Sequence, residues 1–398
     1  WRTGDVPKFP EYEEKEFSGN EVVQTKLTPI KVMLRGYRSP PMNHPDQKKM
    51  EIANYLLSNE EGSGLLDMLV TEGKLTYGGI IPLEYNDHSA AILLAVPKIV
   101  GQSFGEAEEL VDNQLKILKD GAFEESFFNG AKLSIIKSFE RQLESNEARS
   151  LLLVNAFTAN LSWKDYLNNY FSLKNIKKSD IVDVANKYFG PNYMTLYSKR
   201  GSAKHEKLSK PTFEPVVPVD GKTSDFCARW RKTPQSELKA RFVDFDKDVS
   251  RLSLNKFTEL RHVKNPFNEL FNLEFSWGIG TDRDSLLFYL PEYLNKLGTE
   301  SKTAAAFKKA LFEVGASMTF ASNNNKFSLY VNGIDGNLVE TMKLVNEFLQ
   351  NFKADPKAIK NLASDFKSER KFNNKDPNEL LTALTAYAVY DKSSNQMR

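Results

Sequence analysis

The sequence predicts an α+β protein of two homologous domains, each a largely antiparallel sheet packed against helices on one face, the second truncated. Three observations carry this. Strict alternation, as at Phe271, Leu273, Phe275 and Trp277, marks half-buried strands. Helical spacing, as at Ala107, Leu110, Val111, Leu115 and Leu118, marks long amphipathic helices. At 398 residues the chain exceeds one ordinary core, and a helix closed by glycine, a hairpin and a long helix recur in both halves.

Taken in order, residues 1–28, with Pro7, Pro10 and the acidic stretch 11–16, read as a leading linker. The first domain is expected over 29–200. A strand over 30–35 is followed by the turn Ser39-Pro40-Pro41 and a helix over 46–57. Gly62-Ser63-Gly64 separates it from a helix over 65–71, which Gly73 closes. Strands over 75–83 and 90–97 flank a turn at Asn86-Asp87. Helices are expected over 104–119, 124–143 and 147–161. Ser179 caps another over 180–189, with Asp180 and Asp183 complementing its dipole. Gly190-Pro191 stops it, and 193–198 returns as a strand.

Residues 201–240 hold Pro211, Pro215, Pro218 and Pro234 with little periodicity and read as an interdomain linker. The second domain, 241–398, opens with strands over 241–245, 252–254 and 258–263, then 271–277. A helix over 303–315 ends in glycine, strands follow near 317–320 and 327–331, and a helix over 337–352 turns Leu338, Met342, Val345 and Leu349 inward. The run Leu380, Leu381, Ala383, Leu384, Tyr387, Ala388 is periodic to the end. The two halves are offset by roughly 240 residues, far beyond a solenoid period, which fits domain duplication.

Composition excludes several classes. Hydrophobic content of 40% and charged content of 27% are those of a soluble globular chain. A net charge of +2 gives no field for nucleic acid. Apolar runs such as 90–97 fall far short of the roughly 20 residues that span a bilayer. The one cysteine, Cys227, excludes an intrachain disulfide and a cysteine-rich zinc site. Of His44, His88, His205 and His262 none is paired at i+3 or i+4, so no helical zinc face exists. Glu84, Asp87 and His88 fall at a hairpin tip. Trp1 is not an initiator Met and no signal pattern follows, so the chain reads as a fragment cut at both ends.

The most telling stretch is Tyr289-Leu290-Pro291-Glu292-Tyr293, trailed by Gly298-Thr299. It has the form of the zinc-peptidase motif H-x-x-E-H with both histidines replaced by tyrosine. Glu292 keeps the general-base position. A phenol with a pKa near about 10 is a poor zinc ligand at neutral pH. Pro291 lacks a backbone donor, so the helix should begin near Leu290. The plainer role for Tyr289 and Tyr293 is packing along one helical face. Arg35 and Arg38 flank a Gly-Tyr turn and are candidates to contact a substrate's backbone or carboxylates, or else form an ordinary surface pair.

These residues resemble the pitrilysin/insulinase-type family of inverted-motif zinc metallopeptidases. The resemblance rests on Gly36-Tyr37-Arg38-Ser39-Pro40, Met50-Glu51-Ile52, Gly62-Ser63-Gly64-Leu65-Leu66 and the stretch 178–189, all similar to the domain after the catalytic one. In the second half it rests on 289–299 and 311–316. It implies four successive homologous domains folded as two halves of a clamshell, with the zinc site in the first. This chain would be the second domain and most of the third. The parent is then expected to be a zinc metalloendopeptidase hydrolysing peptides in an enclosed chamber. The fragment would supply chamber wall and substrate contacts, with no catalytic residue and no zinc of its own. Its expected partners are a peptide or unfolded-protein substrate and the missing catalytic domain. Glu369 falls near the spacing of the family's third ligand and is not assigned. The alternative is a non-catalytic scaffold or peptide-binding subunit of the same fold. An H-x-x-E-H about 150 to 200 residues upstream of Trp1, one domain length away, would separate the two.

Overall fold

The computed structural model describes residues 5, 15, 17–98, 101–201, 209–217, 221–234, 239–240, 242–374 and 376–394. Pro7, Pro10, Pro218, His205 and most of the acidic stretch 11–16 lie outside the described residues.

The first domain runs β1 (Asn20–Thr28), β2 (Val32–Ser39), α1 (Gln47–Leu57), α2 (Leu65–Thr71), β3 (Tyr77–Leu83), β4 (Ser89–Val96), α3 (Phe104–Lys119), α4 (Glu125–Gln142), α5 (Asn146–Thr158), α6 (Trp163–Phe171), α7 (Lys178–Tyr188) and β5 (Tyr193–Arg200). Its strands form one sheet in the order β1-β5-β2-β4-β3, antiparallel except where β1 lies parallel to β5. β2 buries Met33, Arg35 and Tyr37 on one face, against a core that includes Ile52 and Leu56 of α1, Val111 and Leu115 of α3, and Val184 of α7. β4 is paired on both sides and is at least half-buried on both faces, which explains its nearly unbroken apolar run, Ser-Ala-Ala-Ile-Leu-Leu-Ala-Val.

One correction falls at the start. The stretch expected as a linker over 1–28 ends in β1, whose Asn20 to Thr25 pair in register with Tyr193 to Ser198. Val22, Val23 and Thr25 suit a strand, but nearly every residue of β1 is exposed, so no alternation of buried residues marks it. Helix α6 is also absent from the sequence expectation, although Ser162 caps it by accepting from the Asp165 amide at 3.1 Å.

The second half comprises β8 (Leu270–Trp277), α9 (Leu290–Leu294), α10 (Ala304–Glu313), β9 (Ser317–Ser322), β10 (Phe327–Ile334), α11 (Leu338–Asn351), α12 (Pro356–Asn373) and α13 (Pro377–Tyr390). Here β8-β10-β9 is an antiparallel sheet whose core joins Phe320, Leu329 and Val331 to Phe307 and Leu311 of α10 and Val345 and Phe348 of α11.

The same topology recurs in the two halves. The order β2-β4-β3 in the first sheet matches β8-β10-β9 in the second. Helix α2, Gly73, the β3–β4 hairpin and α3 match α10, Gly315, the β9–β10 hairpin and α11. Gly73 and Gly315 both turn left-handed, at φ 67° and 69°, where a Cβ is penalised. Residues 1–202 and 267–398 form one compact unit. Within it Phe312 of α10 is fully buried in the first domain's core, stacked on Tyr55 at 6.3 Å and tilted on Phe127 at 5.3 Å. Gly130 of α4 permits this, since a Cβ there would meet the Phe312 ring and carbonyl at 2.9 Å.

Residues 203–266 form a separate unit. It contains α8 (Asp225–Arg231), inside the stretch expected to be linker, and the hairpin β6 (Ser250–Asn255) with β7 (Thr258–His262). Ser224 caps α8 by accepting from the Cys227 amide at 3.2 Å. The strand expected over 241–245 is not formed among its described residues. Asp244 Oδ1 accepts from the Asp246 and Lys247 amides at 3.1 and 3.3 Å, which bends the backbone into a turn.

Candidate functional site

The degenerate motif forms the short helix α9 and the residue before it. Pro291 lies in the first turn, where a missing backbone donor costs nothing, and the helix begins at Leu290 as its sequence requires. Tyr289 and Tyr293 stand one turn apart, joined by the Tyr293 amide donating to the Tyr289 carbonyl at 3.2 Å. Both hydroxyls are engaged. Tyr289 Oη accepts from Arg370 Nη2 of α12 at 2.5 Å, and its ring sits edge-on to Phe366 at 4.8 Å. Tyr293 Oη accepts from the Asp355 amide at 2.9 Å. The motif tyrosines thus dock the N-terminus and one face of α12 onto α9.

The donor set does not fit a zinc ion. The two side chains at the ligand spacing are phenols whose oxygens already accept from a guanidinium and an amide, and Glu292 is exposed. Among the described residues no three His, Cys, Asp or Glu side chains group together as a metal site. Glu369 lies exposed on α12.

The trailing Gly298-Thr299 is structural for two reasons. A Cβ at Gly298 would meet the Lys302 carbonyl at 2.3 Å and the Ala304 amide at 2.6 Å, so only glycine fits this close approach. Thr299 Oγ1 and Ser301 Oγ donate to Glu347 Oε1 at 2.8 and 2.6 Å, and Lys302 Nζ pairs with Glu347 Oε2 at 2.8 Å. The Lys302 hydrogen bond, then those of Ser301 and Thr299, hold the Glu347 carboxyl down at about 2.

Arg35 and Arg38 part company. The Arg35 side chain is 2% exposed and ion-pairs with Glu108 at 2.5 Å and with Asp112. It also donates to Tyr37 Oη at 3.3 Å, and its guanidinium lies 4.6 Å from the Tyr193 ring centre. Burial opposes its charge, but the Asp112 hydrogen bond and its other partners outweigh that and raise its pKa. Arg35 is committed inside the domain rather than presented to a ligand. Arg38 faces the other way, exposed, and donates to the Lys15 carbonyl at 3.3 Å.

The sequence gives no sign of the seam between the two domains. Lys137 of α4 pairs with Glu61 at 3.2 Å, the two side chains 6% and 11% exposed. Tyr55 Oη donates to Glu61 at 3.0 Å, and Lys137 also donates to the Gly315 carbonyl at 3.3 Å. Burial, then Glu61, pushes the Tyr55 hydroxyl far above the usual phenol range. A cavity of about 240 Å³ opens beside these groups, lined also by Ser134 and by Lys308 of α10. The contacts of Lys137 join residues far apart in the chain, so no local pattern could have found them.

Known proteins can now be set beside this geometry. Residues 3–134 match the family described as Peptidase M16 inactive domain. No curated protein matches the chain. Among solved structures, pitrilysin is 12% identical with a TM-score of 0.50, covering 93% of this chain and 41% of its own. A protease from Helicobacter pylori is 22% identical over 49% of this chain and 48% of its own, with a TM-score of 0.45. A peptidase M16 inactive domain from Pseudomonas fluorescens is 12% identical over 50% of this chain and 48% of its own, with a TM-score of 0.40. The chain therefore spans about half the length of these solved structures or less. Residues 3–134 thus match the inactive-domain model of M16 peptidases, and the chain as a whole has the α+β fold of pitrilysin. The pitrilysin-type resemblance of the sequence is thereby supported independently. No helix among the described residues is long and apolar enough to cross a membrane.

Proposed function

We propose that this chain is the non-catalytic part of a zinc-dependent metallopeptidase. Its two repeated domains, 29–200 and 241–398, would form chamber wall and substrate contacts, and the zinc-bearing domain would lie elsewhere in the parent. Peptide or unfolded-protein segments are the substrate class. The observation that carries this is the state of the motif. Tyr289 and Tyr293 hold the positions of metal ligands, yet their hydroxyls are spent on Arg370 and Asp355. The match of residues 3–134 to an inactive peptidase domain supports it. Cleavage chemistry would then come from outside the chain, and Glu292 would have no metal-bound water to activate.

Fluorescence polarisation with labelled unstructured peptides, run with and without a chelator, tests this function. The proposal expects binding that is indifferent to chelation, with mass spectrometry showing the peptide intact. Absence of any peptide binding would leave the chain without the substrate-contacting role and count against the proposal.

A further inference from the structure

We propose that the cavity between the two domains binds a small oxyanion, phosphate or a short carboxylate, held by Ser134 and Lys137 of α4 and Lys308 of α10. This stands independently of the peptidase reading. Three geometric facts lead to it. Ser134 is 1% exposed, lines the cavity, and its Oγ has no hydrogen-bond partner. Such an orphaned hydroxyl is costly in a folded protein and signals a missing acceptor or donor.

Lys308 reaches across from the second domain, its Nζ 3.4 Å from where a Cβ on Gly62 would sit. Its ammonium makes no hydrogen bond or salt bridge among the described residues. Burial disfavours its charge, opposed at longer range by Asp67 and Glu292. Lys137 contributes a third donor. An ammonium carries three, and here one goes to Glu61 and one to the Gly315 carbonyl.

The sign of the ligand follows from what is unmatched. Glu60 and Glu61 also line the cavity, with Lys137, Lys308 and Arg141 as its cations. Glu61 is already met by Lys137 and Tyr55, and Glu60 is exposed and turned to water, so the groups left unmatched away from solvent, the Ser134 hydroxyl and the Lys308 ammonium, are donors. An oxyanion accepts from both at once and gains charge-assisted bonds. A volume of 240 Å³ equals that of about eight waters at about 30 Å³ each, enough for one such ion and a few waters. Because Ser134 and Lys308 come from different domains, the bound ion would tie the domains together.

Isothermal titration of the full chain with inorganic phosphate, and separately with acetate, at ionic strength held constant with chloride, tests the site. Saturable one-to-one binding of either ion is expected. Binding of both assigns a general oxyanion site, and binding of one restricts the class. Lys308→Gln should weaken binding by about tenfold or more, and Ser134→Ala by a few-fold. Lys343→Gln, at an exposed position on α11, removes the same charge and should leave affinity unchanged. If circular dichroism shows Lys308→Gln unfolded, Ser134→Ala decides, and an unchanged affinity there overturns the proposal. No saturable binding of either ion, meaning a cavity that holds water only, or equal weakening by Lys343→Gln, also overturns it.

Discussion

At the scale of single residues, charge pairing separates positions that look alike in sequence. Arg35 and Arg38 are three apart on β2, yet one is sealed in ion pairs and the other exposed. Arg35→Ala strands Glu108 and Asp112 beside the core and should cost about 3 kcal/mol, softened by the partial exposure of Asp112. Arg38→Ala should cost less than about 1 kcal/mol. Urea denaturation of both variants checks this, and equal losses would contradict the assignment of Arg35. Glu347 gives a pH prediction. Its folded pKa of about 2 lies below the ordinary 4.5, so its stabilisation is present above 4.5 and lost as pH falls toward 2. The stability gap between the native chain and Glu347→Gln should therefore close as acid is added through that window. Two-dimensional NMR of the glutamate carboxyl carbons would show the same midpoint directly.

At the scale of elements, local chemistry made much of the fold legible. The helix at Leu65–Thr71 was readable from its glycine punctuation, and the strand at Leu270–Trp277 from its alternation. The same clarity extends to α9, where Pro291 announces the helix start. Elements without a buried face were not legible. Strand β1 is exposed along nearly its whole length and is fixed by pairing with β5, a partner more than 160 residues away. The strand expected over 241–245 failed because Asp244 offers the backbone an alternative to a ladder. The repeated glycine caps make a further prediction. Gly73→Ala meets nothing within 4 Å and should cost only the left-handed penalty, about 1 to 2 kcal/mol. Gly315→Ala should cost about the same, since its nearest contact is the flexible tip of Ile334 at 3.2 Å. Thermal unfolding of the two variants measures whether the caps are equivalent, as duplication requires.

At the scale of the molecule, the two domains are joined by more than a tether. Phe312 leaves its own core to fill the first domain's, and Gly130 admits it. Phe312→Ala should destabilise the chain by about 3 to 5 kcal/mol in denaturant, a loss larger than any cap variant. Gly130→Val should do comparable damage, because its Cβ alone meets the Phe312 carbonyl as well as its ring. None of this seam was visible in the sequence, where Phe312 is one more apolar residue on an amphipathic helix. What was visible was the motif at 289–293, because its spacing is local. The structure adds what its phenols do: they fasten α12 to α9.

The central claim, that a peptidase motif here serves as a structural joint and holds no zinc, is tested most directly by metal analysis of the purified chain. After equilibration with zinc and removal of free metal, elemental analysis should find far less than one zinc per chain, with Tyr289→Phe and Tyr293→Phe no different. One tightly held zinc per chain, lost in either tyrosine variant and accompanied by chelator-sensitive peptide cleavage, would contradict the account.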